Sequence, residues 1–348
     1  MATATTGRGR PVASSRRRFV PVHRQFGLAD ADVVAMYYAM LVSRRVSEQA
    51  LKLAFQGAID VSIPADGHEA AQIASMWALR PTDPAYLFYR SAPAAYARGM
   101  TTRELFLDYF GRADGPSSGG KNLAGHWAKR ELNLMSMSGS VATQIPHAVG
   151  SALAAKLRGE DTVSVAYFGD GGSSKSDFHE GLNFAAVRQL PVVLFCENNG
   201  MAISVPFSMQ SGVRSVADRA VGYALVGISV DGSDPLQVYR IMREAVDAAR
   251  AGKGPALIEA RVTRLGQHTS QVGEMRPARE MAAARRKDPI PLFGHYLRHH
   301  GVLDERSEAA LKDRADAEVL DAVEFARRAP PPPVERAFQD VYGPALTK

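Results

Sequence analysis

Between Thr162 and Arg264 short apolar runs alternate with helical stretches. They read TVSVAYF (162–168), SDFHEGLNFAAVR (176–188), PVVLFC (191–196), LVGISVDG (225–232), DPLQVYRIMREAVDAARAG (234–252) and PALIEARVTR (255–264). Few folds accept this pattern. A strand that is apolar along its whole length needs cover on both faces, and the interleaved helices supply it. The expected class is α/β: a mostly parallel sheet with helices on both faces, plus helical extensions. Ser176 is expected to cap the helix over 176–188, with Asp177 and Glu180 in its first turns.

The first half supplies the extensions. Residues 29–56 predict a long helix capped by Asp30 or Asp32, because Val33, Met36, Tyr37, Met40, Leu41, Val46 and Leu51 recur at near-helical spacing. GHEAAQIASMWAL (67–79) predicts a second helix and AYLFYR (85–90) a short strand. A helical pair follows, then a Gly/Ser-rich loop over 111–127 and a small-residue helix over 143–157. Three units are expected: a disordered basic arm (1–28), one α/β body (29–328), and a proline-rich connector with a C-terminal segment (329–348).

Composition narrows the function. With 46% hydrophobic and 22% charged residues the chain suits a globular protein. No run approaches the length of a membrane helix, so no membrane partner is expected. The net charge of +6 suggests nucleic acid until it is located. Arg8, Arg10, Arg16, Arg17, Arg18 and Arg24 all precede the first acid, Asp30, so the body nets zero and nucleic-acid binding is not expected. The start is rich in Ser, Thr and Arg and reads as a disordered arm, with a mitochondrial transit peptide as the alternative. The one cysteine, Cys196, rules out an internal disulfide and suits a reducing compartment. The expectation is bacterial cytoplasm, with the mitochondrial matrix as the alternative.

The chemistry-bearing pair is GDG (169–171) and NNG (198–200), each directly after a predicted strand. Ligands of parallel sheets gather beyond the carboxyl ends of strands. The helix between is a crossover, so the strands it joins lie close. Asp170 and Asn199 then reach one point. Hard oxygen ligands with places left for phosphate suit Mg²⁺ or Ca²⁺. Gly169, Gly171 and Gly172 let backbone approach an anion, and a helix points its amino end there.

This pair, at this spacing, resembles the thiamine-diphosphate enzymes. The resemblance implies Mg²⁺ held by Asp170, Asn199 and the main-chain carbonyl of Met201. It narrows to the α subunit of the decarboxylating component of 2-oxo acid dehydrogenases and covers most of the chain after about residue 28. FYRSA then places Tyr89 and Arg90 on the cofactor diphosphate, a contact Arg makes bidentately. SGSVATQIPHAVG (138–150) is similar to the segment under the aminopyrimidine ring, with Val141 presenting main-chain groups. Ser138, Ser140, Thr143 and Gln144 stand where some members bind K⁺. RLGQHTS (264–270) implies phosphate contacts from Arg264 and His268 and proton handling by His268. His126 of GHW stands near the entrance as a second catalytic candidate.

GHEAAQ, ATQIP, MAISVP, KDPIP and PPPVERAFQDVY resemble bacterial branched-chain members. The resemblance implies oxidative decarboxylation of a small 2-oxo acid, with acyl transfer to a lipoyl-bearing dihydrolipoyl acyltransferase. The glutamate that activates the pyrimidine ring has no counterpart here. In two-chain members it belongs to a β subunit, so a heterotetramer of two α and two β chains is expected. Pyruvate or acetoin dehydrogenase α subunits are the alternative, and a non-catalytic binding protein on the same fold is the remote one. Three departures stand out. Lys175 and Ser176 replace the usual Glu and Gly. The loop after His268 lacks an acidic run and has Thr269 where mitochondrial relatives carry a regulated serine. GAIDVSIPADG (57–67), which helps shape the substrate pocket, is poor in aromatics.

Overall fold

The computed structural model describes residues 20–339. Residues 1–19 of the expected arm and 340–348 of the C-terminal segment lie outside them. The rest of the expected arm is packed, not disordered. Val22–Gln25 form α1, and His23 is wholly buried. Its Nε2 lies 2.9 Å from Asp30 and its Nδ1 2.8 Å from the Tyr296 hydroxyl. Asp30 is committed to His23 and Arg24, so Asp32 serves the start of the long helix α2 (Asp30–Phe55) and accepts the Ala29 N–H at 2.8 Å.

The chain continues through α3 (Glu69–Trp77), β1 (Ala85–Tyr86), α4 (Ala92–Arg98), α5 (Thr102–Tyr109), β2 (Leu134–Met135) and α6 (Gln144–Arg158). The alternating region gives β3 (Ser164–Gly169), α7 (Ser176–Arg188) and β4 (Val192–Asn198). A small hairpin, β5 (Met201–Ala202) and β6 (Val205–Pro206), leads into α8 (Phe207–Gln210). Then come β7 (Val226–Asp231), α9 (Pro235–Arg250), β8 (Ala256–Arg261), α10 (Ala278–Arg285), α11 (Pro289–His299) and α12 (Glu305–Arg328).

Six strands form one parallel sheet in the order β2-β1-β3-β4-β8-β7. Its apolar strands bury alternate residues on opposite faces. Val165 and Tyr167 of β3 join a core with α2, α3, α9, α11 and α12, while Ala166 and Phe168 join one with α6 and α7. Val193 and Phe195 of β4 divide from Leu194 and Cys196 in the same way. The expected double cover is therefore what makes these runs apolar throughout. β7 is an edge strand, and Val226 is 58% exposed. No helix among the described residues is long and apolar enough to cross a membrane.

Two local expectations are corrected. AYLFYR is a strand only at 85–86. Ser91 then closes a turn, its N–H on the Phe88 carbonyl at 2.9 Å, which swings Tyr89 and Arg90 away from the sheet. Ser176 does not cap α7 but is its first residue. A tight helical turn over Asp170–Ser174 runs directly into the helix, leaving Lys175 at the cap position without a side-chain bond.

Candidate cofactor-binding site

Chain direction decides where a ligand can sit. From β1 the chain moves to β2 at one edge, and from β3 it moves to β4 on the other side. The reversal leaves a crevice beyond the carboxyl ends of β1 and β3. A cavity of about 280 Å³ lies there. Tyr89 and Arg90 line it after β1, and Ser138, Ser140 and Val141 after β2. Gln144 reaches it from the start of α6. Asp170 and Gly171 line it after β3, Asn199 and Met201 after β4, and His268 enters from a loop. Gly169 stands opposite Glu197 in register, so Asp170 and Asn199 leave the sheet side by side.

Asp170 is 1% exposed. It accepts Gln210 Nε2 at 3.0 Å, and burial pushes its carboxyl up to about 6 against the pull of the Asn199 backbone N–H, Gln210 and Arg264. A bound divalent cation would restore the charged form. Asn199 Oδ1 accepts the Met201 N–H at 3.2 Å, a tie within its own turn. Gly171 is packed so that a Cβ would meet the Ala202 methyl at 2.9 Å, which explains the small residue between strand end and helix. Ala142, wholly buried, holds φ at 79° directly after Val141. That conformation costs a non-glycine residue roughly 1–3 kcal/mol, a strain typical of ligand clamps.

The cationic side is built around His268. Arg90, 2% exposed, donates to the carbonyls of Pro64 and His268, the latter at 3.2 Å. Arg90 Nη2 lies 3.1 Å and Arg264 Nη1 3.3 Å from His268 Nδ1. Guanidinium groups only donate, so Nδ1 accepts and the ring proton sits on Nε2. Burial first, then the two arginines, lower the His268 pKa to about 4. Burial, Arg90 and Arg276 lower that of Arg264 to about 10.

Three expected residues do not line the cavity. Arg264 stands behind His268 and is 3% exposed. Thr143 Oγ1 is tied to the Ser140 carbonyl at 2.9 Å. His126 sits outside Gly139, with Nδ1 2.8 Å from the Leu123 carbonyl. Gln144 donates to the Tyr167 carbonyl at 2.7 Å, while its buried Oε1 has no partner among the described residues. The exposed Lys175 lines the cavity, and the structure gives no reason for a lysine there. Sequence reading missed Gln210, Arg276 and the rim residues Phe88 and Ile203. Arg276 donates to the Arg264 carbonyl at 2.7 Å. No spacing or motif announces Gln210 or Arg276, whereas Phe88 and Ile203 stand inside FYRSA and MAISVP without being singled out.

A family model described as the dehydrogenase E1 component matches residues 37–335. The chain belongs to the dehydrogenase E1 component family. It is 39% identical over 92% of its length to the 2-oxoisovalerate dehydrogenase subunit alpha of Bacillus subtilis, covering 98% of that protein. It is 38% identical over 88% to the 3-methyl-2-oxobutanoate dehydrogenase subunit alpha of Mycobacterium tuberculosis, covering 82% of it. It is 35% identical over 86% to the pyruvate dehydrogenase E1 component subunit alpha of Staphylococcus aureus, covering 79% of it. The E1 family uses thiamine diphosphate, and an E1 α subunit works beside a β subunit in a multienzyme complex. The residues fit that cofactor: an under-paired buried carboxylate lies beside neutral oxygen donors, and the buried Arg90 stands across the same cavity with Arg264 behind His268.

Proposed function

We propose that this chain is the α subunit of a branched-chain 2-oxo acid dehydrogenase E1 and supplies the diphosphate half of the cofactor site. The observation that carries this is the meeting of Asp170, Asn199, Met201, Arg90 and His268 on one cavity at the strand-order reversal. Asp170, Asn199 and the Met201 carbonyl hold Mg²⁺, a hard cation that keeps places for phosphate oxygens. Tyr89, Arg90 and His268 take the diphosphate, Arg264 adds its charge from behind His268, and Gly171 lets backbone approach it. Val141 offers main-chain groups to the aminopyrimidine ring. Ser138, Ser140, Thr143 and Gln144 form the K⁺ site, supported by the unpartnered Gln144 oxygen.

Thiamine diphosphate, when bound, supplies the electron sink that decarboxylation of a 2-oxo acid requires. The chain's own residues orient it and keep water away. His268, neutral and protonated on Nε2, donates a hydrogen bond or a proton at that atom. His126 stands at the entrance beside Gly139 and meets substrate there. The acyl group passes to a lipoyl-bearing dihydrolipoyl acyltransferase, and the assembly is a heterotetramer of two α and two β chains. The bacterial relatives favour the cytoplasm as its place of action.

The test is a substrate panel with the β subunit present and Mg²⁺–thiamine diphosphate added. 3-Methyl-2-oxobutanoate should be turned over with a higher kcat/KM than pyruvate or acetoin. Preference for pyruvate or acetoin would move the chain to those enzymes, and the Staphylococcus aureus relative supports pyruvate less strongly, at 35% identity. Absence of cofactor binding by the α–β complex would mark a non-catalytic protein.

A further inference from the structure

One buried amide joins the two halves of the site. Gln72 on α3 donates from Nε2 to Glu197 Oε2 at 2.8 Å and to the Arg90 carbonyl at 3.2 Å. Its Oε1 accepts the Ala94 N–H at 3.3 Å. Glu197 Oε2 also lies 2.6 Å from His68 Nδ1. Gln72, Glu197 and His68 are each wholly buried. Glu197 lies on β4 two residues before Asn199, whereas Arg90 belongs to the turn after β1. The segment that carries His68 also reaches Arg90 from its other side, through the Pro64 carbonyl. That segment is pressed against the end of β8: Gly67 has φ +91°, and a Cβ there would lie 1.8 Å from the Thr263 carbonyl.

We propose that Gln72, Glu197 and His68 form a positioning unit that sets the Arg90 turn against the end of β4. The guanidinium and the Asn199 amide then present one preset spacing to a diphosphate and its metal. The inference rests on the diphosphate reading above and adds residues to it that touch neither cofactor nor substrate. Stability alone does not select such a group. Burying a carboxylate is costly, and apolar side chains fill the same volume without that cost. The unit also leaves Glu197 Oε1 and His68 Nε2 buried without partners among the described residues. Unsatisfied atoms of that kind are few in folded proteins. Gln72, by contrast, uses both ends of its amide, and each tether holds a different piece of backbone or side chain. Methionine at position 72 would keep the packing volume and lose all three tethers.

The test uses the α–β complex stripped of cofactor. It is titrated calorimetrically with Mg²⁺–thiamine diphosphate, and the cofactor-free complex is melted in parallel. Gln72→Met should raise the cofactor Kd about tenfold, the scale of one lost hydrogen bond to a charged network. KM for the 2-oxo acid at saturating cofactor should not move. Arg90→Lys should cost less in the Gln72→Met background than in the parent, because both act on one contact. Glu197→Met, which removes the acceptor for Gln72 at similar side-chain length, should raise Kd about as much and provides the reading if Gln72→Met fails to fold. A Kd within about twofold of the parent for both variants, or full additivity with Arg90→Lys, overturns the proposal. A parent complex that does not bind cofactor overturns the diphosphate reading itself, and this inference with it.

Discussion

The sheet buries a carboxylate at each end and treats the two in opposite ways. Asp83, wholly buried, stands at the amino end, just before β1. It accepts the N–H groups of Arg80 and Val163, both at 2.9 Å, and Arg250 Nη2 at 3.0 and 2.8 Å on its two oxygens. Asp170, at the carboxyl end, has a neutral amide and backbone N–H groups but no paired cation among the described residues. The first arrangement is closed and the second is open. Strand ends are chemically alike, so the difference lies in what the loops bring. At the amino end they bring a counter-charge from α9. At the carboxyl end they bring glycines, an amide and two arginines that turn to His268 rather than to the carboxylate. An open carboxylate in that setting is what the metal role proposed for Asp170 requires.

The contrast predicts opposite outcomes when each carboxylate is removed. Asp83→Ala takes from the Arg250 guanidinium, whose side chain is 10% exposed, its buried partner and leaves it the exposed Asp161. Breaking a buried pair from one side costs about 3–5 kcal/mol. Denaturant unfolding of the cofactor-free complex should show that loss, while the folded fraction binds cofactor as the parent does. An unchanged midpoint would mean the amino-end pair contributes nothing and would dissolve the comparison. Asp170→Asn should do the reverse. Burial already disfavours the charge there, so stability without cofactor should hold or rise. Mg²⁺-dependent cofactor binding should fall at least about 100-fold, more than the loss from an outer-shell partner of a metal ligand. Binding that survives Asp170→Asn, or that no longer needs Mg²⁺, would remove Asp170 from the site.

The same contrast explains what the sequence made legible. The alternating apolar runs announced the parallel sheet, since apolar residues on both faces of β3 and β4 admit no other packing. GDG and NN announced the meeting of Asp170 and Asn199 because a strand–helix–strand crossover leaves little freedom in where its ends fall. Asp83 and Arg250 are far apart in sequence and carry no motif, so their pairing could be seen only in the fold. The Gln72–Glu197–His68 unit was hidden for the same reason. Its members sit on α3 and β4, and its key contact is to the backbone of Arg90, which no side-chain pattern encodes. The strand predicted over 85–90 ran too far because Leu87 and Phe88 are apolar, and burial in the turn suits them as well as burial in a strand.

The smallest effect concerns His268 and asks whether the cationic wall works as a unit. With Arg90 and Arg264 both donating toward Nδ1, the imidazole is neutral and its proton sits on Nε2. Burial and the two arginines lower its pKa from the ordinary 6.5 to about 4. Between those values the unfolded chain takes up a proton that the folded one refuses, so this residue's contribution to stability falls as pH drops through 6.5 toward 4. Nitrogen NMR of the cofactor-free complex should report a neutral, Nε2-protonated ring from pH 8 down to about pH 5. Arg90→Ala should move the midpoint upward by removing the nearer positive charge. A midpoint near 6.5 in the parent would mean that the two arginines point elsewhere in solution. The carboxyl end of the sheet would then be open on its cationic side as well.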